Sequence, residues 1–236
     1  MSLSAFRLGD IRGVYPDDVN EDFAAGFAHA FAGHFNPAGR IAIGRDMRPS
    51  SRPLQQALAE TFASIGFDVL DIGLCPTELG YFASSLPGVA AAVIVTASHN
   101  PVRYNGLKCV LSRGRAVTVD TGLQAIESLM AEHYRHAAGT GRIEQTDIEE
   151  QYMQFLYGVF NPTALIQAPI ALNGLNGTAS TLAGSIADRF GLSTTWTRQT
   201  PGPIPGSGAD PTHPALVAEM QSFMQQQDFK IGRAHV

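Results

Sequence analysis

One apolar run stands out along the chain, the stretch Ala91–Val95. It is built of small and β-branched residues, and it ends abruptly in the polar sequence Thr96–Pro101. A run of this kind predicts a strand that is buried on both faces, as in the centre of a parallel sheet. Because open α/β sheets bind ligands at the carboxyl ends of their strands, the polar sequence predicts a functional loop.

Helical and strand periodicities alternate over the rest of the chain. Apolar spacing and capping residues predict helices over 21–35, 51–65, 76–86, 120–136, 148–160, 179–190 and 214–227. Short apolar runs predict strands or extended segments over 6–16, 40–44, 67–72, 91–95, 107–111, 169–172 and 192–196, and Asn105-Gly106 is interpreted as a turn before the fifth of them. This order favours an α/β fold with two βαβ-type domains, whose mixed or mostly parallel sheets are covered by helices. The domains are expected over 1–138 and 145–230, joined near Ala138–Gly141.

Composition excludes several classes of protein. Of the 236 residues, 44% are hydrophobic and 16% are charged, so a packed core is expected rather than disorder. The formal net charge of −5 without a basic block argues against a nucleic-acid partner. No segment is apolar over the length of a membrane span or of a secretory signal, and we expect a soluble cytoplasmic protein without a membrane partner. Cys75 and Cys109 lie in apolar surroundings and are expected to be buried, reduced thiols.

Ser98 is the candidate reactive residue of the polar loop. Pro101 restricts Asn100 to extended geometry, so the turn around Ser98 is expected to be rigid, as suits an attacking hydroxyl. For a lone serine after a strand, a helix cap is the more common role, and that alternative stays open. The absence of a Gly-x-Ser-x-Gly elbow disfavours a serine hydrolase of the acyl-transfer type.

Charged residues near this loop are candidates for binding an anion. His99 is equally a loop histidine or a proton-transfer group. Lys108 lies within an otherwise apolar strand, so its charge is expected to point at an anion or at the sheet edge. Arg12, between Ile11 and Gly13, is either a phosphate ligand or the partner of a carboxylate such as Asp10.

A second charged cluster follows the strand at 40–44. Arg45, Asp46 and Arg48 stand close together there, and we favour a brace of arginine and aspartate that shapes the site over direct catalysis.

At these residues the chain resembles a known family. Thr96–Pro101 with Tyr104–Lys108 is similar to the phosphoserine signature of the α-D-phosphohexomutases, specifically the phosphomannomutase/phosphoglucomutase group. Three further stretches follow the family's order, namely Asp10–Gly13, Ile43–Ser51 and Ile72–Thr77. In the second domain the matching positions are Asn176-Gly177, Ile204-Pro205 and Asp210-Pro211.

The resemblance implies the first two of four domains and a phosphotransferase mechanism. Ser98 would carry a phosphoryl group and exchange it with a hexose phosphate, interconverting hexose 1-phosphate and hexose 6-phosphate of mannose or glucose. Arg12 and Lys108 would stabilise the transferring group, and His99 would assist proton movement. The resemblance also implies Mg²⁺, held by a phosphoryl oxygen on Ser98 and three carboxylates, a hexose 1,6-bisphosphate activator, and a monomeric or dimeric enzyme.

Two departures from the family pattern modify these expectations. Gly9 stands where family members commonly have an aromatic residue, which predicts a weaker sugar contact. The family's aspartate-rich metal loop is expected shortly after Phe229 and is not found, so we predict that this chain alone is inactive and that residues 231–236 are a non-native tail. The alternatives are part of a phosphoglucosamine mutase, or a non-catalytic binding or assembly module that retains the fold.

Overall fold

The computed structural model describes residues 3–160, 168–205, 208–227 and 229. The strands are β1 Ile11–Val14, β2 Arg40–Arg45, β3 Val69–Leu74, β4 Val89–Val95, β5 Tyr104–Leu111, β6 Arg115–Ala116, β7 Ile143–Gln145, β8 Ile170–Asn173 and β9 Thr194–Thr197. The helices are α1 Glu21–Phe35, α2 Ser51–Ser64, α3 Thr77–Ala83, α4 Leu123–Ala131, α5 Glu149–Val159, α6 Ala179–Arg189 and α7 Pro214–Gln226. The chain divides into two compact units, residues 1–97 with 102–152, and residues 98–101 with 153–236.

A mixed sheet forms the centre of the first unit. Its strand order is β1-β5-β4-β2-β3-β7, and β6 pairs with β5. Strand β2 pairs in parallel with both β3 and β4, and β7 adds in parallel to β3. Strand β5 is antiparallel to β4 and to β1. The predicted α/β fold with a mixed sheet is therefore confirmed, and the strand predicted over 91–95 has one parallel partner, β2, and one antiparallel partner, β5.

Strand β4 is buried on both faces, as its sequence predicts. Ala91, Val93 and Val95 belong to the core that includes residues of α1, α2 and α4. Ile94 points to the opposite side, where a Cβ on Gly80 of α3 would lie 2.3 Å from its Cγ1 atom. Gly80 therefore lets α3 approach the sheet closely.

Phenylalanines of α1 and α2 fill the core on one side of this sheet. Phe23, Phe27, Phe31 and Phe62 are all at most 1% exposed, and the rings of Phe31 and Phe62 meet edge to face at 6.0 Å. Helix α1 begins where the Asn20 side chain accepts the N–H of Phe23, and its bounds are those that the sequence predicts.

The prediction of a turn at Asn105-Gly106 is wrong. Both residues lie inside β5, which begins at Tyr104. Asn105 is fully buried, and its side chain accepts the N–H of Gly106 while donating to side chains of the first unit. The two residues therefore serve packing and strand pairing, a role that the local turn signal does not reveal.

The second unit contains a two-stranded parallel sheet, β8 with β9, and the helices α6 and α7. The sequence predicts all four elements at nearly these bounds. Tyr157 of α5 stacks on Phe190 with ring centroids 4.7 Å apart, and its hydroxyl donates to the carbonyl of Arg189 at 2.6 Å.

The division between the units falls within α5, between Tyr152 and Met153. Because β7 pairs with β3, residues 143–145 belong to the sheet of the first unit. The domain limits 1–138 and 145–230 remain a prediction. The predicted non-native tail, residues 231–236, lies outside the described residues.

None of the helices in the described ranges is both long and apolar enough to cross a membrane. The two cysteines are buried, Cys75 at 2% and Cys109 at 5% exposure. Burial raises the pKa of the Cys75 thiol to about 12, and it also raises the pKa of Cys109. Neither thiol is therefore ionised at neutral pH, in keeping with the structural role that the sequence predicts.

Candidate functional site

Arg12 and Lys108, both predicted to bind an anion, meet at one carboxylate. The Arg12 Nε and Nη2 atoms lie 2.8 and 2.7 Å from Oδ2 of Asp10. The Lys108 Nζ atom lies 3.8 Å from the same oxygen. The side chains of Arg12 and Lys108 are each 28% exposed, so each retains a face that is open to a further anion. Arg12 can therefore pair with Asp10 and still bind a phosphate, since the contact with Asp10 leaves part of the guanidinium accessible.

Strand register brings these cations together. Arg12 of β1 is opposite Gly106 of β5, and Lys108 is two residues further along β5. Side chains two residues apart on a strand share a face. Gly106 permits the close approach of β1, because a Cβ at this position would lie 1.8 Å from the carbonyl oxygen of Ile11.

The signature sequence starts beside these cations. Thr96, its first residue, donates its N–H to the carbonyl of Gly106 at 3.0 Å, and Gly106 is paired with Arg12. The beginning of the polar loop is therefore tied to the strand pair that carries Arg12 and Lys108.

Asp46 is the centre of a buried hydrogen-bond network. Its carboxylate accepts the Arg48 backbone N–H and Nε at 3.0 Å each, the Ser51 hydroxyl at 2.5 Å and the Thr96 hydroxyl at 2.8 Å. Arg48 donates onward from Nη1 to the carbonyl of Tyr104 at 3.0 Å. The predicted brace of arginine and aspartate is confirmed for Asp46 and Arg48, and it links the ends of β2 and β4 to the start of β5.

Arg48 pairs with Asp46 in a largely dry environment. Its side chain is 1% exposed, and burial lowers the pKa of the guanidinium, an effect that the charge of Asp46 opposes. Removing either partner would leave the other as an unpaired buried charge, which is strongly destabilising. The role of this pair is therefore structural, and it fixes Thr96, whose hydroxyl donates to Asp46.

Asn105 is a residue of this region that sequence reasoning missed. Its amide nitrogen donates to the hydroxyls of Ser50 and Ser51 at 2.7 and 3.0 Å. Ser51 in turn donates to Asp46, so the amide extends the brace to β5. Asn105 has the local signature of a turn residue, and its partners Ser50 and Ser51 are distant in sequence, so no local signal indicated this contact.

Ser98 adopts a left-handed backbone conformation with φ of +54°. Its backbone is constrained, since non-glycine residues adopt this conformation infrequently and often at functional sites. Ser98 is half-buried and His99 is exposed, and the segment 98–101 belongs to the second compact unit. In that unit, hydrogen bonds from Thr212 lower the pKa of Asp210, and the charge of His99 adds to this effect.

The described residues do not by themselves fit the magnesium ion that the resemblance implies. Within the described ranges, no group of three or more His, Cys, Asp and Glu side chains is arranged to hold a metal ion. Mg²⁺ requires a near-octahedral shell of oxygen ligands, and one phosphoryl oxygen on Ser98 does not supply it. The roles assigned below to Arg12 and Lys108 do not involve this ion.

Comparison with known families identifies the first unit. Residues 3–136 match the model of the phosphoglucomutase/phosphomannomutase family, alpha/beta/alpha domain I. The chain belongs to this family. The matched range contains Arg12, Ser98, His99 and Lys108, and so includes every candidate catalytic residue predicted from the sequence.

Individual relatives agree with this assignment. The chain is 37% identical to a phosphomannomutase from Escherichia coli over 191 residues, which are 80% of this chain and 42% of that protein. A shorter phosphomannomutase sequence from Klebsiella pneumoniae is 40% identical over 154 residues, which are 64% of this chain and 98% of that sequence.

The fold of a solved relative covers nearly the whole chain. The crystal structure of a phosphoglucomutase/phosphomannomutase family protein from Burkholderia thailandensis superimposes with a TM-score of 0.85 at 30% identity, over 98% of this chain and 52% of that one. The chain thus spans about half the length of that protein, and 42% of the Escherichia coli relative.

Proposed function

We propose that this chain carries the phosphoserine of a phosphohexomutase, and that Ser98 exchanges a phosphoryl group with mannose or glucose phosphates. Membership of the phosphoglucomutase/phosphomannomutase family supports the class of reaction. Relatives that are named phosphomannomutase support the hexose phosphate as substrate.

One observation carries this proposal, the convergence of Arg12 and Lys108 next to the start of the signature sequence. The two cations share one carboxylate, leaving the group with a net positive charge toward solvent. Phosphoryl transfer depends on positioning and on stabilising the charge of the equatorial oxygens, which arginine and lysine provide. The glycine opposite Arg12 and the register of β1 and β5 together place both cations on one face of the sheet, an arrangement that a salt bridge on a solvated surface does not need.

The proposed reaction has two transfers. The phosphoryl group on the Ser98 Oγ atom passes to the free hydroxyl of a hexose monophosphate; the Oγ–P bond breaks and a bond from phosphorus to the sugar oxygen forms. The proton of that hydroxyl leaves, and the serine oxygen takes one up, with His99 as the candidate carrier. The resulting hexose 1,6-bisphosphate then returns its other phosphoryl group to Ser98. Atoms and charge balance without an oxidant or a further substrate.

Intact-mass spectrometry tests this proposal. The wild-type chain is incubated with glucose 1,6-bisphosphate or mannose 1,6-bisphosphate in the presence of Mg²⁺. We expect a gain of one phosphoryl group in the wild type and in Ser85→Ala, a control at an exposed serine, and no gain in Ser98→Ala. The absence of any gain in the wild type contradicts the proposal and favours a binding or assembly module.

The inactivity of this chain alone in steady-state turnover remains a prediction. Assay with glucose 1-phosphate and Mg²⁺ tests it separately from the single transfer to Ser98. Turnover comparable to that of a full-length mutase assayed in parallel would refute it.

A further inference from the structure

We propose that Asp10 is the positioning residue of the phosphoryl site, holding Arg12 and Lys108 in one arrangement for binding a phosphoryl anion. The inference rests on the proposed function, because it assigns those two cations to the transferring group. Asp10 itself does not touch the substrate in this account and acts only through its two partners.

The contacts of Asp10 favour positioning over incidental pairing. Two donors of Arg12, Nε and Nη2, reach the same oxygen at 2.8 and 2.7 Å, which fixes the plane and the direction of the guanidinium. Lys108 lies 3.8 Å from that oxygen, at the limit of direct contact. A single oxygen is therefore the shared anionic partner of two flexible side chains that originate from different strands.

Asp10 is itself held by its surroundings. Its side chain is only 12% exposed, and its backbone carbonyl accepts the N–H of Arg7 at 2.9 Å. The following residue, Ile11, is fully buried and forms an antiparallel bridge with Phe6, so residues on both sides of the turn before β1 are held in place. A rigid support is what a positioning residue needs, since a loosely held carboxylate could not order its partners.

Electrostatics alone predicts the opposite effect on anion binding. A carboxylate beside Arg12 and Lys108 repels an incoming phosphate, so its removal would strengthen binding if the two cations stayed in place. If Asp10 positions them, removing its oxygens lets both side chains regain rotamer freedom, and binding weakens. The sign of the change in affinity thus separates the two roles.

The experiment is a titration with inorganic phosphate of the wild-type chain, Asp10→Ala, Asp10→Asn and the control Asp17→Ala. Asp17 is an exposed residue of the neighbouring turn, so its variant loses the same charge away from the cluster. Binding is followed through the Arg12 Nε–H signal in ¹⁵N-correlated NMR spectra, assigned by its disappearance in Arg12→Lys. Circular dichroism and the urea midpoint check that each variant is folded.

We expect Asp10→Ala to bind phosphate at least about tenfold more weakly than the wild type, equivalent to about 1.4 kcal/mol. Asp10→Asn keeps an oxygen that accepts from Arg12 and loses the repulsive charge, so its affinity should equal or exceed that of the wild type. Asp17→Ala should bind like the wild type. If Asp10→Ala does not fold, Asp10→Asn serves as the test: a retained Arg12 Nε–H signal with phosphate affinity at least equal to the wild type supports the inference, and loss of that signal or weaker binding contradicts it.

Three results would overturn the inference: phosphate binding by Asp10→Ala as tight as the wild type, an Asn variant as weak as the Ala variant, or no response of the wild type to phosphate. Failure of the proposed function is a separate result, because it is the absence of phosphoryl transfer to Ser98. A chain that binds phosphate as described but never phosphorylates Ser98 refutes the function, and with it the assignment of this site to phosphoryl transfer, while the ordering of Arg12 and Lys108 by Asp10 for anion binding is still supported.

Discussion

A close backbone approach at the candidate site, between β1 and β5 at Gly106, provides a sharp test of the fold. In Gly106→Ala the new Cβ would lie 1.8 Å from the carbonyl oxygen of Ile11 and 3.1 Å from the Arg12 Cα. Ordinary contact begins at 3.4 Å, so the Ile11 oxygen must retreat by 3.4 − 1.8 = 1.6 Å. A displacement of that size breaks the neighbouring β1–β5 hydrogen bonds, because the Ile11 oxygen is a backbone atom, the Cβ is fixed by the backbone of residue 106, and no side-chain rotation relieves the contact.

The expected cost follows from these lost bonds. Two ladder hydrogen bonds at about 1 kcal/mol each, with residual overpacking of about 1 kcal/mol, lower the free energy of unfolding by about 2–4 kcal/mol. For a unit of this size, that lowers the melting temperature by roughly 5–15 °C. Urea unfolding followed by circular dichroism measures the loss, and hydrogen exchange of the β1 and β5 amides locates it.

Gly9→Ala is the matched control for this experiment. A Cβ on Gly9 would meet nothing within 4 Å, so its free energy of unfolding should stay within about 1 kcal/mol of the wild type. Equal stability of the two variants would refute the close approach of β1 to β5, and with it the placement of Arg12 opposite Gly106.

Two further predictions concern the brace and a histidine on α1. Thr96→Val removes the hydroxyl that donates to Asp46 and should lower the free energy of unfolding, measured by urea titration, by about 1–3 kcal/mol. Thr140→Val, the control at an exposed position, should change it by less than about 0.5 kcal/mol. Equal effects of the two substitutions would contradict the brace. The His29 Nδ1 atom accepts the N–H of His136, and burial, with nearby positive charge, lowers the pKa of His29 below 6.5. The unfolded chain therefore binds more protons as the pH falls below 6.5, and the folded chain should lose stability there. His29→Asn, compared with the wild type by urea midpoints between pH 5 and 7, should flatten this dependence, and an unchanged slope would contradict the assignment.

Sequence periodicity predicted much of the fold because most elements have one clear apolar face. Helix α1 is an example, since Asn20 caps it and Phe23, Phe27 and Phe31 recur on the side that meets the core. The buried strand Val89–Val95 was likewise recognisable from its continuous apolar run. The helix predicted over 120–136 is longer than the observed helix, Leu123–Ala131. Its carboxyl end comes early because His133 adopts a left-handed conformation with φ of +53°.

Tertiary contacts explain what the sequence did not reveal. Asn105-Gly106 has the composition of a turn, yet Asn105 is buried against Ser50 and Ser51, and Gly106 lies against the backbone of Ile11. Both partners are distant in sequence, so no local rule identifies them.

The candidate site was predictable in part. Motif resemblance selected Arg12, Ser98 and Lys108, whereas the shared oxygen of Asp10 depends on the register of β1 and β5 and could not be read from spacing.

Phosphosite mapping by tandem mass spectrometry tests the central claim most directly. After incubation with a hexose 1,6-bisphosphate, the account predicts a phosphoryl group on Ser98 in the peptide that contains His99 and Asn100, with much slower labelling in Arg12→Ala and Lys108→Ala. A phosphoryl group on another residue, or an unlabelled Ser98 in the folded wild-type chain, would contradict it.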